Sequence, residues 1–256
     1  EQSHKPDHSE KIVVAMVGLP ARGKSYLSNK LMRYLRWREY QVRVFNVGQL
    51  RRARAFEHTA SFFNSANVEA VKSRDALAHE CLNQLISWLK QGGNVGILDA
   101  TNTTKARRKQ IADRVAKESG MRLVFLESIC TDPKVVEKNV EIKVRDTDPD
   151  YAKATREQAK DDFLRRIQYY EAVYEPLDAD GTERPYTYCK IVDVGRSATM
   201  NQIASYLESQ IAFYLLNLHI APRNIFMSRH GESQYNVEGK IGGDADLSEH
   251  GWAYAR

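Results

Sequence analysis

The run Ile12-Val13-Val14-Ala15-Met16-Val17 has no polar interruption, which predicts a short strand buried on both faces. A glycine-containing turn follows. Then Leu27, Leu31, Tyr34 and Leu35 fall at i, i+4, i+7 and i+8, one face of a helix. Further strand-like runs are Val42–Val47, Val95–Leu98, Leu123–Leu126 and Cys189–Val194, and Gly48-Gln49 reads as a turn. Helical patterns lie between them. Val68–Lys90 stops at Gly92-Gly93, a C-cap signal. Lys105–Ser119 lies between Thr103-Thr104 and Gly120, and Asp132-Pro133 supplies an N-cap with proline at the first helical position. Thr155 and Gln158 form a capping box for a helix carrying Phe163, Ile167, Tyr170 and Tyr174. A last helix is expected over about Met200–Leu218. Strands alternating with helices predict an α/β fold: a mainly parallel sheet with helices on both faces.

After Ala221-Pro222 a fresh apolar run begins at Asn224-Ile225-Phe226-Met227, which predicts a domain boundary near 220–223. Residues 1–10 read as a flexible leader, 11–221 as one domain and 222–256 as the opening of a second. Glu1–Glu10 is polar, so no secretory signal is expected. The longest apolar stretch, Ile12–Ala21, is far short of the roughly 20 residues a membrane helix needs.

Composition adds exclusions. At 256 residues, 42% hydrophobic and 28% charged, the chain has ordinary globular content. A net charge of +5, with no basic patch interleaved with aromatics, does not mark a nucleic-acid binder. Cys81, Cys130 and Cys189 are spaced for neither a disulfide framework nor a zinc site, and fit reduced thiols in the cytoplasm.

The strongest chemical signal is Gly18-Leu19-Pro20-Ala21-Arg22-Gly23-Lys24-Ser25, a G-x-x-x-x-G-K-S loop between the first strand and the first helix. Glycines let successive N–H groups turn inward on phosphate oxygens. Lys24 places a cation on the β- and γ-phosphates, Ser25 offers a hydroxyl to Mg²⁺, and the helix N-terminus adds its dipole. Asp99 ends the strand-like run Val95–Leu98, at the carboxyl edge of the predicted sheet where ligands bind. It could organise Mg²⁺ or accept a proton from an attacking hydroxyl, and the residues alone leave both roles open. Arg51 and Arg107 lie just beyond strand ends on the same edge, which suits a phosphorylated acceptor. Another P-loop small-molecule kinase, or a nucleotide-dependent switch or scaffold, are the competing readings of the loop by itself.

Several motifs occur in order: Gly18–Tyr26, Phe45-Asn46-Val47-Gly48-Gln49 with Arg51-Arg52, Asp99–Thr104, Glu127-Ser128-Ile129-Cys130 with Asp132-Pro133, Pro149-Asp150-Tyr151, and Arg229-His230-Gly231-Glu232-Ser233 with Asn236 and Gly242-Gly243-Asp244. Together they closely resemble the 6-phosphofructo-2-kinase/fructose-2,6-bisphosphatase family over about residues 11–256. The resemblance implies a P-loop NTPase-type kinase domain followed by the start of a histidine-phosphatase α/β domain. It implies transfer of the ATP γ-phosphoryl group to the 2-hydroxyl of fructose 6-phosphate, giving fructose 2,6-bisphosphate, with Mg²⁺ accompanying ATP. By motif, Gly18 to Tyr26, Asn139 and Cys130 fall at the ATP site. Lys24, Asp99 and Lys143 are catalytic, with Arg145 the competitor for the bridging position of Lys143. Ser25 and Asp99 hold the metal, and Arg51, Arg74, Thr101, Arg107, Arg166 and Tyr170 hold the sugar phosphate. His230 corresponds to a phosphate-accepting histidine, with Arg229, Asn236 and Gly242 beside it. In the family a general acid and further basic residues come later, so 256 residues are expected not to hydrolyse fructose 2,6-bisphosphate by themselves. Neither a nucleic-acid nor a membrane partner is expected; homodimerisation belongs to the same resemblance.

Overall fold

In the computed structural model the described residues are 9–54, 59–147, 149–152, 154–218, 224 and 226–256, without the side chains of 146 and 147. They fall into two units, Glu1–His219 and Ile220–Arg256.

Strand β1 (Lys11–Val17) is the axis of the first unit, and Ile12 through Val17 are all fully buried. Burying each large aliphatic side chain contributes about 1.5–3 kcal/mol. Around it lie β2 (Val42–Asn46), β3 (Val95–Asp99), β4 (Met121–Ile129), β5 (Thr187–Val192) and β6 (Ser197–Asn201), in the order β2-β3-β1-β4-β5-β6. The pairings β2–β3, β3–β1, β1–β4 and β4–β5 are parallel, and β5–β6 is antiparallel. The chain leaves β1 toward β2 on one side and later returns to β4 on the other. The carboxyl end of β1 is therefore a topological switch point, where α/β sheets bind ligands.

Alternation along β1 divides the core. Ile12, Val14 and Met16 pack with Leu27, Leu31 and Leu35 of α1 (Lys24–Trp37) and with Leu207, Ile211 and Leu215 of α7 (Tyr206–Leu216). Val13, Ala15 and Val17 face α3 (Val68–Lys90) and α4 (Lys105–Val115) through Leu82, Leu85, Leu89, Ile111 and Val115. A smaller cluster joins Val140 of α5 (Pro133–Ile142) to Tyr151 and to Phe163 and Ile167 of α6 (Arg156–Glu171). Caps hold the expected helix starts: Asn67, Thr104, Asp132 and the Thr155/Gln158 box all accept from first-turn amides.

The structure corrects three expectations. Gly48-Gln49 is the first turn of α2 (Val47–Ala53), started by the Asn46 side chain accepting from Gln49 N at 2.9 Å. Met200 belongs to β6, where it pairs with Cys189; the helix begins at Tyr206 under a Ser205/Glu208 capping box. The helix expected to Ser119 ends at Val115. The leader expected over 1–10 lies outside the described residues up to 8, and so do the boundary at 220–223 and residue 225 of the Asn224–Met227 run. Asn224, Phe226 and Met227 are exposed and not in a strand.

In the second unit Ser233 bridges Leu247 and caps α8 (Gln234–Val237), and Ser248 caps α9 (Glu249–Ala255). No described helix is long and apolar enough to cross a membrane.

Candidate active site

The loop after β1 closes where only glycine fits. Gly18 has φ +132°, and a Cβ there would lie 2.5 Å from the Ser128 carbonyl oxygen of β4. Gly23 at φ +83° starts α1, and Ala21 also takes a positive φ of 58°. The loop is pinned from outside. Gly18 N donates to Thr101 O at 2.9 Å, Ser128 Oγ to Arg22 O at 2.5 Å, and Asn139 Nδ2 to Ala21 O at 3.0 Å. Asn102 Nδ2, in the next loop, donates to Met16 O at 2.8 Å. These bonds fix a concave run of amides at the head of α1, the geometry that binds phosphates.

Lys24 is buried and donates to Leu19 O at 2.6 Å. Burial pushes its pKa down to about 7 against the opposing pull of Asp99, and Arg166, Arg22 and Lys143 push the same way as burial. A triphosphate would supply the missing negative charge. Ser25 Oγ donates to Asp99 Oδ2 at 2.7 Å, and Asn46 Nδ2 to the same oxygen at 2.6 Å. Register places Asn46 beside Asp99 at the ends of paired strands. Asp99 Oδ1 makes no hydrogen bond among the described residues, although the residue is only 5% exposed.

A cavity of about 450 Å³ joins this end of the sheet to a cluster of cations. Lys24, Ser25, Asp99 and Thr101 line it together with Arg51, Arg52, Arg74, Arg107, Lys143, Arg166 and Tyr170. Arg51 is buried and hydrogen-bonded to Asp150, and burial pulls its pKa down. Arg74 donates to Phe62 O at 3.0 Å, Arg107 pairs with Asp75, and burial lowers both pKa values. Arg166 stacks over Phe63 with its guanidinium carbon 3.9 Å from the ring centre.

The structure therefore brings ten expected residues into one cavity: Lys24, Ser25, Asp99, Thr101, Arg51, Arg74, Arg107, Arg166, Tyr170 and Lys143. Pro20 and Ala21 line it as well, whereas Arg145, Cys130 and Tyr26 do not. Tyr26 is 46% exposed. The Cys130 thiol is pushed up by burial, which suits a packing role better than nucleophilic attack. Sequence reading passed over Asn46 and Asp150 as functional residues. An Asn-x-x-Gln capping signal marked the first; no local signal marks a carboxylate that gathers three arginines from two helices.

A model of the 6-phosphofructo-2-kinase family matches residues 1–222. The chain belongs to the 6-phosphofructo-2-kinase family. Among curated relatives, 6-phosphofructo-2-kinase/fructose-2,6-bisphosphatase 3 of Rattus norvegicus is 45% identical over 245 residues, 95% of this chain and 44% of that protein. The Homo sapiens protein of the same name is 44% identical over 95% of this chain and 47% of its own length. The Caenorhabditis elegans 6-phosphofructo-2-kinase/fructose-2,6-bisphosphatase is 43% identical over 252 residues, 95% of this chain and 54% of its own. The chain thus spans about half the length of these family members.

Within the second unit, Arg229 and His230 are exposed, and His230 Nδ1 lies 2.7 Å from Gly231 O. Asn236 Oδ1 accepts from Ser233 N and Ser233 Oγ, both at 3.0 Å, and Gly242 is exposed at φ +81°. Among the described residues, no hydrogen bond links Arg229, His230 and Asn236.

Proposed function

We propose that this chain transfers the γ-phosphoryl group of ATP to the 2-hydroxyl of fructose 6-phosphate, giving fructose 2,6-bisphosphate and ADP. One observation carries the reading: a single cavity holds Lys24, Ser25 and Asp99 at the P-loop together with Arg51, Arg74, Arg107 and Arg166. The first group suits a triphosphate, and the second suits an acceptor that already bears a phosphate. Family membership selects the ketohexose phosphate among such acceptors.

Phosphoryl transfer needs positioning and neutralisation of charge more than covalent help. The acceptor oxygen forms a bond to γ-phosphorus as the bond to the β–γ bridging oxygen breaks. Lys24 binds β- and γ-oxygens, and the amides from Ala21 to Ser25 orient them. Asp99 uses Oδ2 to hold Ser25 and Asn46, which leaves Oδ1 either to accept the proton of the attacking hydroxyl or to reach the Mg²⁺ ion. Lys143 carries a second cation to the transferred group. A serine hydroxyl and a carboxylate suit Mg²⁺, which takes one or two protein oxygens and fills its shell with phosphate oxygens and water. No cluster of three His, Cys, Asp or Glu competes among the described residues. Ser25 and Asp99 would hold the ion, which would supply neutralisation of the phosphate charge.

The same reading makes 11–221 the kinase domain and 222–256 the start of a histidine-phosphatase domain in a longer bifunctional protein. The order Arg229-His230-Gly231-Glu232-Ser233 supports it. Three free thiols support a reducing, cytoplasmic setting.

The test is ATP consumption by the chain with fructose 6-phosphate, unphosphorylated fructose or a nucleoside as acceptor. Consumption that depends on fructose 6-phosphate is expected. Equal or greater turnover with a nucleoside would replace the reading with that of another P-loop kinase.

A further inference from the structure

The acceptor end of the cavity contains a charge problem. Arg51, Arg52 and Arg166 come from α2 and α6, and their guanidinium groups converge in a partly desolvated space where they repel one another. Among the described residues, the Asp150 carboxylate faces all three. The Asp150 side chain has no exposed surface; its Oδ2 is hydrogen-bonded to Arg51 and lies 3.8 Å from both Arg52 Nη1 and Arg166 Nη1. A ring also stands against the cluster. Phe63 lies 3.9 Å from the guanidinium carbon of Arg166 and 5.2 Å from that of Arg51.

Arg166 depends on these two neighbours. Its Nε and Nη1 are buried and make no hydrogen bond among the described residues. Its placement rests on attraction to Asp150 and on stacking against Phe63 and, at 5.7 Å, Phe163. The supports are themselves tied together. Asp162 of α6 accepts from Ala60 N at 2.7 Å, in the 3-10 turn Ala60–Phe63, and from Tyr151 OH at 2.9 Å, in the 3-10 turn Pro149–Tyr151. One carboxylate thus fixes the turn that carries Phe63 and the turn that carries Asp150 against the helix that carries Arg166.

We propose that Asp150, backed by the Phe63 ring, is the positioning residue of the acceptor-phosphate subsite, holding Arg51 and Arg166 in the spacing that a phosphorylated acceptor requires. The proposal rests on the acceptor reading given under Proposed function. A phosphate monoester, which carries about −1.5 to −2 at neutral pH, suits a site where several guanidinium groups converge. Asp150 does not touch the reacting atoms. Its effect passes through the arginines, in the way that outer groups orient ligands at other charged sites.

The sign of the effect separates this role from simple electrostatics. If Asp150 acted only as a negative charge near an anion site, Asp150→Asn would strengthen acceptor binding. If it positions the arginines, Asp150→Asn raises the KM for fructose 6-phosphate about ten- to hundredfold and leaves the KM for ATP unchanged. Phe63→Leu, which changes no charge, is expected to raise the same KM several-fold. It decides the matter alone if Asp150→Asn is recovered unfolded.

A probe without turnover runs in parallel. The shift in Tm produced by inorganic phosphate is measured with the P-loop filled by a non-hydrolysable ATP analogue. The unsubstituted chain is expected to be stabilised, and the folded variants less so. An unchanged or lowered KM for fructose 6-phosphate in Asp150→Asn overturns the proposal, as do equal phosphate-induced shifts. Parallel rises in both KM values with a lower Tm also overturn it, because they mark a general structural role. Absence of fructose 6-phosphate-dependent turnover in the unsubstituted chain would count against the acceptor reading instead, and the phosphate shifts would then judge Asp150 independently.

Discussion

Ser25 and Asp99 meet across 74 positions of chain, the Ser25 hydroxyl donating to Asp99 Oδ2 at 2.7 Å. The bond ties the first turn of α1 to the end of β3 and sets a hydroxyl, a carboxylate and the Lys24 ammonium around one corner of the cavity. Asp99→Ala is expected to lower turnover by at least about a hundredfold. It leaves Ser25 and Asn46 without their acceptor, at about 1–3 kcal/mol of stability. Turnover assays and thermal melts check both effects. Lys24→Met should likewise abolish turnover while the chain remains folded, and wild-type-like turnover in either variant would refute the role assigned to that residue.

Lys24 links nucleotide binding to protons. Its pKa is about 7 in the folded chain against an ordinary 10.5 when unfolded. Between these values the unfolded chain binds the extra proton, so this group makes stability rise with pH through that window; below it, the buried charge costs stability. A bound triphosphate favours the charged form. At pH 8, ATP binding should therefore take up a fraction of a proton, seen by calorimetry as a binding enthalpy that differs between buffers of different ionisation enthalpy. The dependence should vanish in Lys24→Met. An enthalpy at pH 8 that is the same in every buffer would contradict this account of Lys24.

Lys143 and Arg145 share the π-helical turn Lys143–Thr147, yet only Lys143 lines the cavity. Lys143→Ala is expected to lower kcat by about a hundredfold, the loss seen when one preorganised charge-stabilising group is removed. Arg145→Ala should stay within about threefold of the unsubstituted chain. The reverse ranking in the same assay would move the bridging cation to Arg145.

Gly18→Ala combines a strained φ with a contact to the Ser128 backbone that flexible side chains cannot relieve. The strain alone costs about 1–3 kcal/mol. Denaturant melts should show the loss, and fluorescence titration with an ATP analogue should show weakened binding. A variant with unchanged stability and affinity would mean that the loop is not held by β4 as described.

Much of this was legible in the chain itself. The unbroken apolar run Ile12–Val17 could only be a central strand, and the glycines, Lys24 and Ser25 after it define the phosphate loop wherever the sheet places them. Thr155 with Gln158 announced α6. Other features were hidden for physical reasons. Val47–Ala53 contains a glycine in its first turn and follows a strand without a break, so the Asn46 cap was the only local sign of a helix. Strand β6 is short, polar on one face and held only by β5, so Met200 read as part of the helix that starts six residues later. The grouping of Arg51, Arg52 and Arg166 around Asp150 is a tertiary event. So is the buried Arg108–Glu183 pair, with bonds of 2.6 and 2.7 Å, which anchors the start of α4. No periodicity encodes either, because the partners are brought together by the folded sheet and its helices.

On the proposed function, one cavity places an ATP γ-phosphate beside the 2-hydroxyl of a phosphorylated ketohexose. The most direct measurement is phosphorus and carbon NMR of the product formed from ATP, Mg²⁺ and fructose 6-phosphate. A new phosphate ester on carbon 2 is expected alongside the original ester on carbon 6, formed together with ADP. Transfer to any other carbon, or release of ADP and inorganic phosphate with the sugar unchanged, would contradict it.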